Sequence, residues 1–320
     1  MSYELNKELF LITGLALSIF AAVVLLSSTV SFAYTSNTSA TANVNVGNVI
    51  YISITPSSNT FGNVYPGSTY DTNVLFTDTD NGGNLAANVF ISGSNFIYGS
   101  NNIGVSNTLW DYPSQTLYAG TPLSGTPADT GITLAQPSIA SPSTSNDIYF
   151  GVSIPSGTAV GFYTQTLTFN NINSGASLGS GPAAVSLTAN VQGFCSISLS
   201  STSINFGSIA ASANVPTNNL ITDTDSGGNV QASVLVEGTD WTGTAGTFGV
   251  SNTLYSSSSQ STYTGNALTN TLITGITGIT IAAPTQSSPS TNSPIYFGLG
   301  VPAGAPAGAY SQTITIENSC

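Results

Sequence analysis

Two octapeptides hold most of the side chains that could bind something. "TDTDNGGN" at 77–84 supplies Asp78, Asp80 and Asn84, and "TDTDSGGN" at 222–229 supplies Asp223, Asp225 and Asn229. Oxygen ligands at alternate positions followed by glycine form the pattern of a calcium loop. The third ligand position of such a loop holds Gly82 or Gly227 instead, and no Glu closes it. The competing reading is a strand-connecting turn, where Asp, Asn and Gly serve backbone geometry. The turn is the stronger expectation, and calcium is the only cofactor left open.

A second cluster, "LWDYPSQTLY" at 109–118, brings Trp110, Asp111 and Tyr112 together in an expected loop. Aromatic faces beside a carboxylate can hold a sugar, which makes a glycan or cell-envelope partner one option. Packing of a long loop over a β-sandwich is the other. The two cysteines, Cys195 and Cys320, stand at the two ends of the second half of the chain. In an exported protein that placement predicts a disulfide. With no His and no third Cys, neither a metal site nor a thiol nucleophile is expected there. Asp129, Asp147, Asp240 and Glu317 are scattered and expected in solvated loops. No nucleophile–base or metal constellation is visible, so the reading is of a protein that is not an enzyme.

The charge balance excludes further functions. Only 4% of the residues are charged, Lys7 is the sole basic side chain, and 13 acids give a net charge of −12. Glu4 and Glu8 account for two of those acids, so 13 − 2 = 11 lie beyond the first eight residues. Nucleic-acid binding needs cations to neutralise phosphates, and the body of this chain has none. Phosphoryl transfer lacks its Lys or Arg clamp, and imidazole chemistry is absent. Salt bridges cannot stabilise the body, which leaves burial, strand hydrogen bonds and a disulfide. Carboxylates titrate near pH 4, so the chain is almost uncharged at about pH 2, which suits an acidic exterior and equally a polar coat at neutral pH.

Residues 9–33 are 25 uncharged, mostly apolar residues after Lys7. They are long enough to span a bilayer, and Ser31 and Ala33 offer the small residues of a signal-peptidase site. A cleaved signal peptide is expected, with an uncleaved anchor as the alternative. Either one exports everything after residue 33. Asn37, in "NTS", is then a glycosylation sequon in the exported part.

The body is an internal duplication. "TFGNVYPG" at 60–67 answers "NFGSIAAS" at 205–212, and "GVSNTL" recurs at 104–109 and 249–254, both offset by 145 like the two octapeptides. "SPSTSNDIYFGVSIP" at 141–155 answers "SPSTNSPIYFGLGVP" at 288–302, and "FYTQTLTF" at 162–169 answers "AYSQTITI" at 309–316, now offset by 147. Short β-branched and aromatic runs alternate with Gly, Pro, Asn and Ser, and nothing after the leader is helix-periodic. An all-β fold is expected: two tandem immunoglobulin-like β-sandwiches, over 49–193 and 194–320, after an N-terminal apolar signal or anchor helix. Tyr163 and Tyr310, each in "G-x-Y", match the tyrosine corner of such domains or an ordinary cross-strand aromatic. Trp241 aligns with Phe96, and both are expected in the cores.

The repeats differ at their ends. "VSLTANVQG" at 185–193 closes the first domain, with Val185, Leu187, Ala189 and Val191 on one face. After "YSQTITIENSC" the second domain shows no such strand, whereas "SATANVNVG" at 39–47 stands in front of the first. Residues 34–48 are therefore a tether or a donor strand, with Ala40, Ala42, Val44 and Val46 as the knobs. An extended segment can complete an open sheet of a neighbour through main-chain hydrogen bonds, and a head-to-tail contact of that kind builds a filament. The alternative is that 39–46 belongs to the first domain and the second closes with fewer strands.

Together, the leader, the low-charge Thr/Ser/Asn-rich body and the tandem sandwiches resemble archaeal-type cell-surface proteins. The front-placed strand and open last domain are similar to donor-strand-linked filaments or S-layer-like subunits. That resemblance implies an extracellular structural protein that self-associates head to tail, touching the membrane only through an uncleaved leader. A surface adhesin using the Trp110 loop is the alternative.

Overall fold

The computed structural model describes residues 41–173, 177–178, 181–272 and 278–320. The apolar leader, Asn37 and Ala40 lie outside the described residues. Residues 48–320 make one compact unit and the preceding segment another. Of that segment, 41–47 is described; it carries no strand, and Val44 and Val46 are exposed.

Among the described residues the fold is all β, with two single-turn 3-10 elements. No sheet mixes the two repeats. In the first, Ser53–Thr55, Thr69–Asn81, Ser143–Ser153, Thr108–Asp111 and Thr121–Pro122 form one sheet in that order. The facing sheet runs Ala128–Leu134, Ala87–Gly93, Gly161–Ile172, Ala183–Val191, Ser58–Val64. The second repeat rebuilds the first sheet with Ser198–Leu199, Asn214–Ser226, Ser290–Gly300, Thr253–Ser256 and Asn266–Ala267. Its facing sheet is cut into two three-stranded pieces, around Ala232–Gly238 and around Trp241–Gly243.

Strand alternation makes these layers. Along Thr69–Asn81 the side chains of Thr72, Phe76, Asp78 and Asp80 are buried in turn while their neighbours face outward. The same beat along Ala183–Val191 buries Val185, Leu187, Ala189 and Val191. The tyrosines of the two "G-x-Y" stretches hydrogen-bond back four residues: Tyr163 Oη donates to the Ala159 carbonyl and Tyr310 Oη to the Pro306 carbonyl, both at 2.9 Å. This is the tyrosine-corner bond of immunoglobulin-like sandwiches.

The cores are unequal. Among the described residues, 21 buried apolar residues cluster in the first domain and 10 in the second. Tyr163, Leu167 and Phe169 are almost fully buried, while their counterparts Tyr310, Ile314 and Ile316 are only half-buried. The second sandwich has a wet side.

Candidate functional site

That side has an exact template in the first domain. Ala183–Val191 pairs antiparallel with Gly161–Ile172 along its whole length, Ala189 opposite Tyr163 and Leu187 opposite Gln165. On its other edge it pairs in parallel with Ser58–Val64. One strand thus bridges two others and seals the core beneath it.

In the second domain no described residue takes that place. Residues 203–209, the counterpart of Ser58–Val64, form no strand. The counterpart of Gly161–Ile172 is broken into Tyr310–Ser311 and Ile314–Ser319. Its Ile314–Ser319 piece pairs only with Ala232–Gly238. Losing one ladder leaves both neighbours short of hydrogen-bond partners, which explains why each is irregular. Between them runs a groove of about 770 Å³, lined by Ile204, Phe206, Trp241, Phe248 and the 305–310 segment. A smaller cleft lined by Ile204, Phe206, Trp241, Ile314 and Ile316 lies alongside it. Trp241 forms the floor: its ring stacks on Phe248 at 5.6 Å and its Nε1 donates to Thr253 Oγ1 at 2.8 Å. Where the first domain has Phe96, this larger ring fills part of the space below the missing strand.

The repeated octapeptides act as clasps. Asp80 Oδ1 accepts the backbone N–H of Tyr51 at 3.1 Å and of Gly83 at 3.0 Å. Asn84 Oδ1 accepts the Val49 N–H at 2.8 Å, and Val49 O accepts the Asn84 N–H at 2.9 Å. The second copy repeats this: Asp225 Oδ1 accepts from Ser196 N and Gly228 N, and Asn229 Oδ1 from Phe194 N. Each copy holds the segment that enters its domain. No group of three or more His, Cys, Asp or Glu placed to hold a metal occurs among the described residues. Oδ1 of Asp80, Asn84, Asp225 and Asn229 is engaged with backbone N–H groups.

Asp78 and Asp223 point into the sandwich and, like Asp80 and Asp225, are fully buried. Asn171 Nδ2 donates to Asp78 Oδ1 at 3.1 Å, and Asn318 Nδ2 to Asp223 Oδ1 at 3.3 Å. Burial pushes each carboxyl up to about 6, the asparagine bond opposing this and the adjacent Asp80 or Asp225 adding to it. Asn171 and Asn318, equivalent at the 147-residue offset, escaped sequence reasoning; their shared place after "TLTF" and "TITI" was the available signal.

Trp110 is not in a loop. It lies in the strand Thr108–Asp111 opposite Phe150 and belongs to the core cluster. Asp111 Oδ1 accepts the Tyr112 N–H and its Oδ2 accepts from Gln115 Nε2, while Tyr112 is exposed. Trp110, Asp111 and Tyr112 nonetheless line one open hollow of about 380 Å³, together with Thr121, Ile132 and Asn146, although most of the indole is buried. Cys195 and Cys320 form a disulfide, with Cα atoms 6.2 Å apart and a sequence separation of 125. It joins the start of the second domain to the end of Ile314–Ser319. In the first domain the same places hold buried Ile50 and Asn173, whose Nδ2 donates to the Ala86 carbonyl.

No protein-family model matches the chain, and no curated protein matches it. Among solved structures, a chain of the CsuC–CsuE chaperone–tip adhesion subunit pre-assembly complex from Csu pili of Acinetobacter baumannii aligns at 13% identity with a TM-score of 0.41, covering 86% of this chain and 99% of that one. The CupB6 tip adhesin from Pseudomonas aeruginosa aligns at 12% identity with a TM-score of 0.27, covering 79% and 91%. A family 123 glycoside hydrolase from Clostridium perfringens aligns at 12% identity with a TM-score of 0.27, over 42% of this chain; the chain spans 22% of that protein's length. At such identities and scores none of these likenesses transfers a function.

Proposed function

We propose that this chain is an exported, non-enzymatic structural subunit of a cell-surface filament or coat, joined to its neighbours by β-strand complementation. The observation that supports it is the open groove of the second domain, which has the shape left when a strand like Ala183–Val191 is withdrawn. The occupant is the 39–46 segment of a second copy. "TANV" at 41–44 repeats "TANV" at 188–191. In that register Ala42 takes the place of Ala189, opposite Tyr310, and Val44 that of Val191, opposite Gly308. Ala40 takes the place of Leu187, and Val46 falls beside the junction. The two residues Gly47 and Asn48 tie the segment to the start of the first domain, which favours a neighbour's groove over its own. The apolar leader supports export, and the absence of cations in the body suits a coat rather than a catalyst.

Trp241 reports on the groove directly. A synthetic peptide of residues 38–47 is titrated into Asn48–Cys320, a compact unit in its own right. Saturable change of indole emission is expected, with a rise in Tm that grows with peptide concentration. A peptide carrying Ala42→Asp is expected to do neither. Absence of binding by the unmodified peptide at millimolar concentration overturns the proposal.

A further inference from the structure

The junction between the two domains is built from parts that each domain repeats at its opposite end. On the first-domain side is the turn 155–161, "PSGTAVG"; on the second-domain side are the Gly227–Asn229 turn and the 282–289 hairpin. Asn229 Nδ2 donates to the Thr158 and Gln192 carbonyls, each at 2.9 Å. Gln286 Nε2 donates to Thr158 Oγ1 at 3.2 Å and to the Asn102 carbonyl at 2.9 Å. The approach is close: a Cβ on Gly157 would lie 2.2 Å from the Thr285 carbonyl carbon, and one on Gly227 3.4 Å from Ser156 Oγ.

Each half recurs intact elsewhere. The counterpart of 155–161 is 302–308, "PAGAPAG", at the far end of the second domain. Its backbone makes the same turn: Ala305 N–H to Pro302 O matches Thr158 N–H to Pro155 O, and Gly304 at φ 78° matches Gly157 at 71°. The counterpart of the second half is Gly82–Asn84 with the 135–142 hairpin. There the paired backbone bonds of Ser138 and Ser141 match those of Thr285 and Ser288, and Gly82 N–H to Pro142 O matches Gly227 N–H to Pro289 O. Gly304, Gly82 and Ile139 stand open. A Cβ on Gly304 or on Gly82 would meet nothing within 4 Å, and Ile139, the counterpart of Gln286, is 106% exposed. Gly82, Asn84, Pro137, Ile139 and Pro142 line an open hollow of about 640 Å³.

We infer that molecules dock end to end through a copy of the internal domain junction, the 302–308 turn of one seated in the hollow at Gly82–Asn84 and Ile139 of the next. This rests on the strand-complementation reading and adds the contact that sets the geometry of the link. The side chains are matched for it. Internally, a polar pair meets, Gln286 on Thr158. Their counterparts at the opposite ends are both apolar, Ile139 and Ala305, and Ser156 gives way to Ala303. An exposed isoleucine against an Ala/Pro turn buries apolar surface on both sides, whereas either mixed pairing leaves a polar group facing an apolar one. The occupant is therefore a second copy in head-to-tail order, and the filament is a run of near-equivalent domains.

The test uses the full exported chain in two variants, Ile139→Cys and Ala305→Cys, mixed under mild oxidation while filament formation is followed by electron microscopy. An intermolecular disulfide is expected to form about tenfold faster than in a control mixture of Ile139→Cys with Ser258→Cys, because docking raises the local thiol concentration. Filaments without that enrichment overturn the docking geometry and leave strand complementation standing. No assembly at all, by wild type or variants, overturns both. As a second readout, Ile139→Asp is expected to weaken assembly by about tenfold or more through an uncompensated charge in the contact; unchanged assembly counts against the inference.

Discussion

Asp78 and Asp223 make an unusual forecast: removing an acid should stabilise the protein, and so should acidifying it. Around Asp78, the atoms Asp78 Oδ2, Asp80 Oδ2 and Asn171 Oδ1 are all buried acceptors with no hydrogen-bond partner, and Asp223 Oδ2, Asp225 Oδ2 and Asn318 Oδ1 repeat the arrangement. A proton on Asp78 removes a buried charge and supplies the missing donor. The folded carboxyl titrates at about 6 against an ordinary 3.8. The folded state therefore binds the proton more tightly, and the stabilisation is complete below about pH 4 and lost as pH rises through about 6. Discounted for solvent screening, the effect is on the order of 1–2 kcal/mol per site. Two sites raise Tm by roughly 5–10 °C at pH 3 relative to pH 8. Asp78→Asn with Asp223→Asn keeps the shape and adds the donor. Thermal unfolding across pH 3–8 should show the double variant more stable than wild type at pH 8, equal to it at pH 3, and nearly flat between. A wild-type Tm that falls on acidification, or a variant that is less stable at pH 8, refutes the reasoning.

Other expectations concern the joints. Reducing the Cys195–Cys320 disulfide reopens a long loop, and chain entropy assigns such closures about 4–5 kcal/mol; calorimetry in reductant should lower the second domain's transition and leave the first alone. Asn229→Ala removes three hydrogen bonds at the domain junction and should cost about 2–3 kcal/mol, splitting a shared unfolding transition into two. Chelation with EDTA should leave Tm unchanged, since Oδ1 of Asp80, Asn84, Asp225 and Asn229 already accepts from backbone N–H groups; a drop of several degrees would return those loops to calcium binding.

Much of this architecture is legible without coordinates. Repeated phrases at offsets of 145 and 147 divide the chain, and period-2 runs declare strands. Val185, Leu187, Ala189 and Val191 announce the strand that the second domain lacks. The function of "TDTDxGGN" is not legible, because its partners Val49 and Tyr51 lie 35 and 29 residues away and are backbone groups that any residue supplies. The inward turn of Asp78 and Asp80 was hidden by reading the octapeptide as a turn, whereas both lie in the strand Thr69–Asn81 and share its face with Phe76. Trp110 misled for the converse reason: "WDYP" reads as a turn, and pairing with Phe150 makes it core. The half-junctions appear only when contacts are compared between repeats, since Ile139 and Ala305 are unremarkable in sequence.

Strand exchange is the central claim, and assembly state tests it most directly. Light scattering and negative-stain microscopy should be run on the chain from residue 34 and on a chain beginning at Val49. The account predicts linear polymers from the first, with one molecule per two-domain repeat, and monomers from the second. Equal monomers of equal stability from both chains contradict it and leave residues 34–48 as a tether.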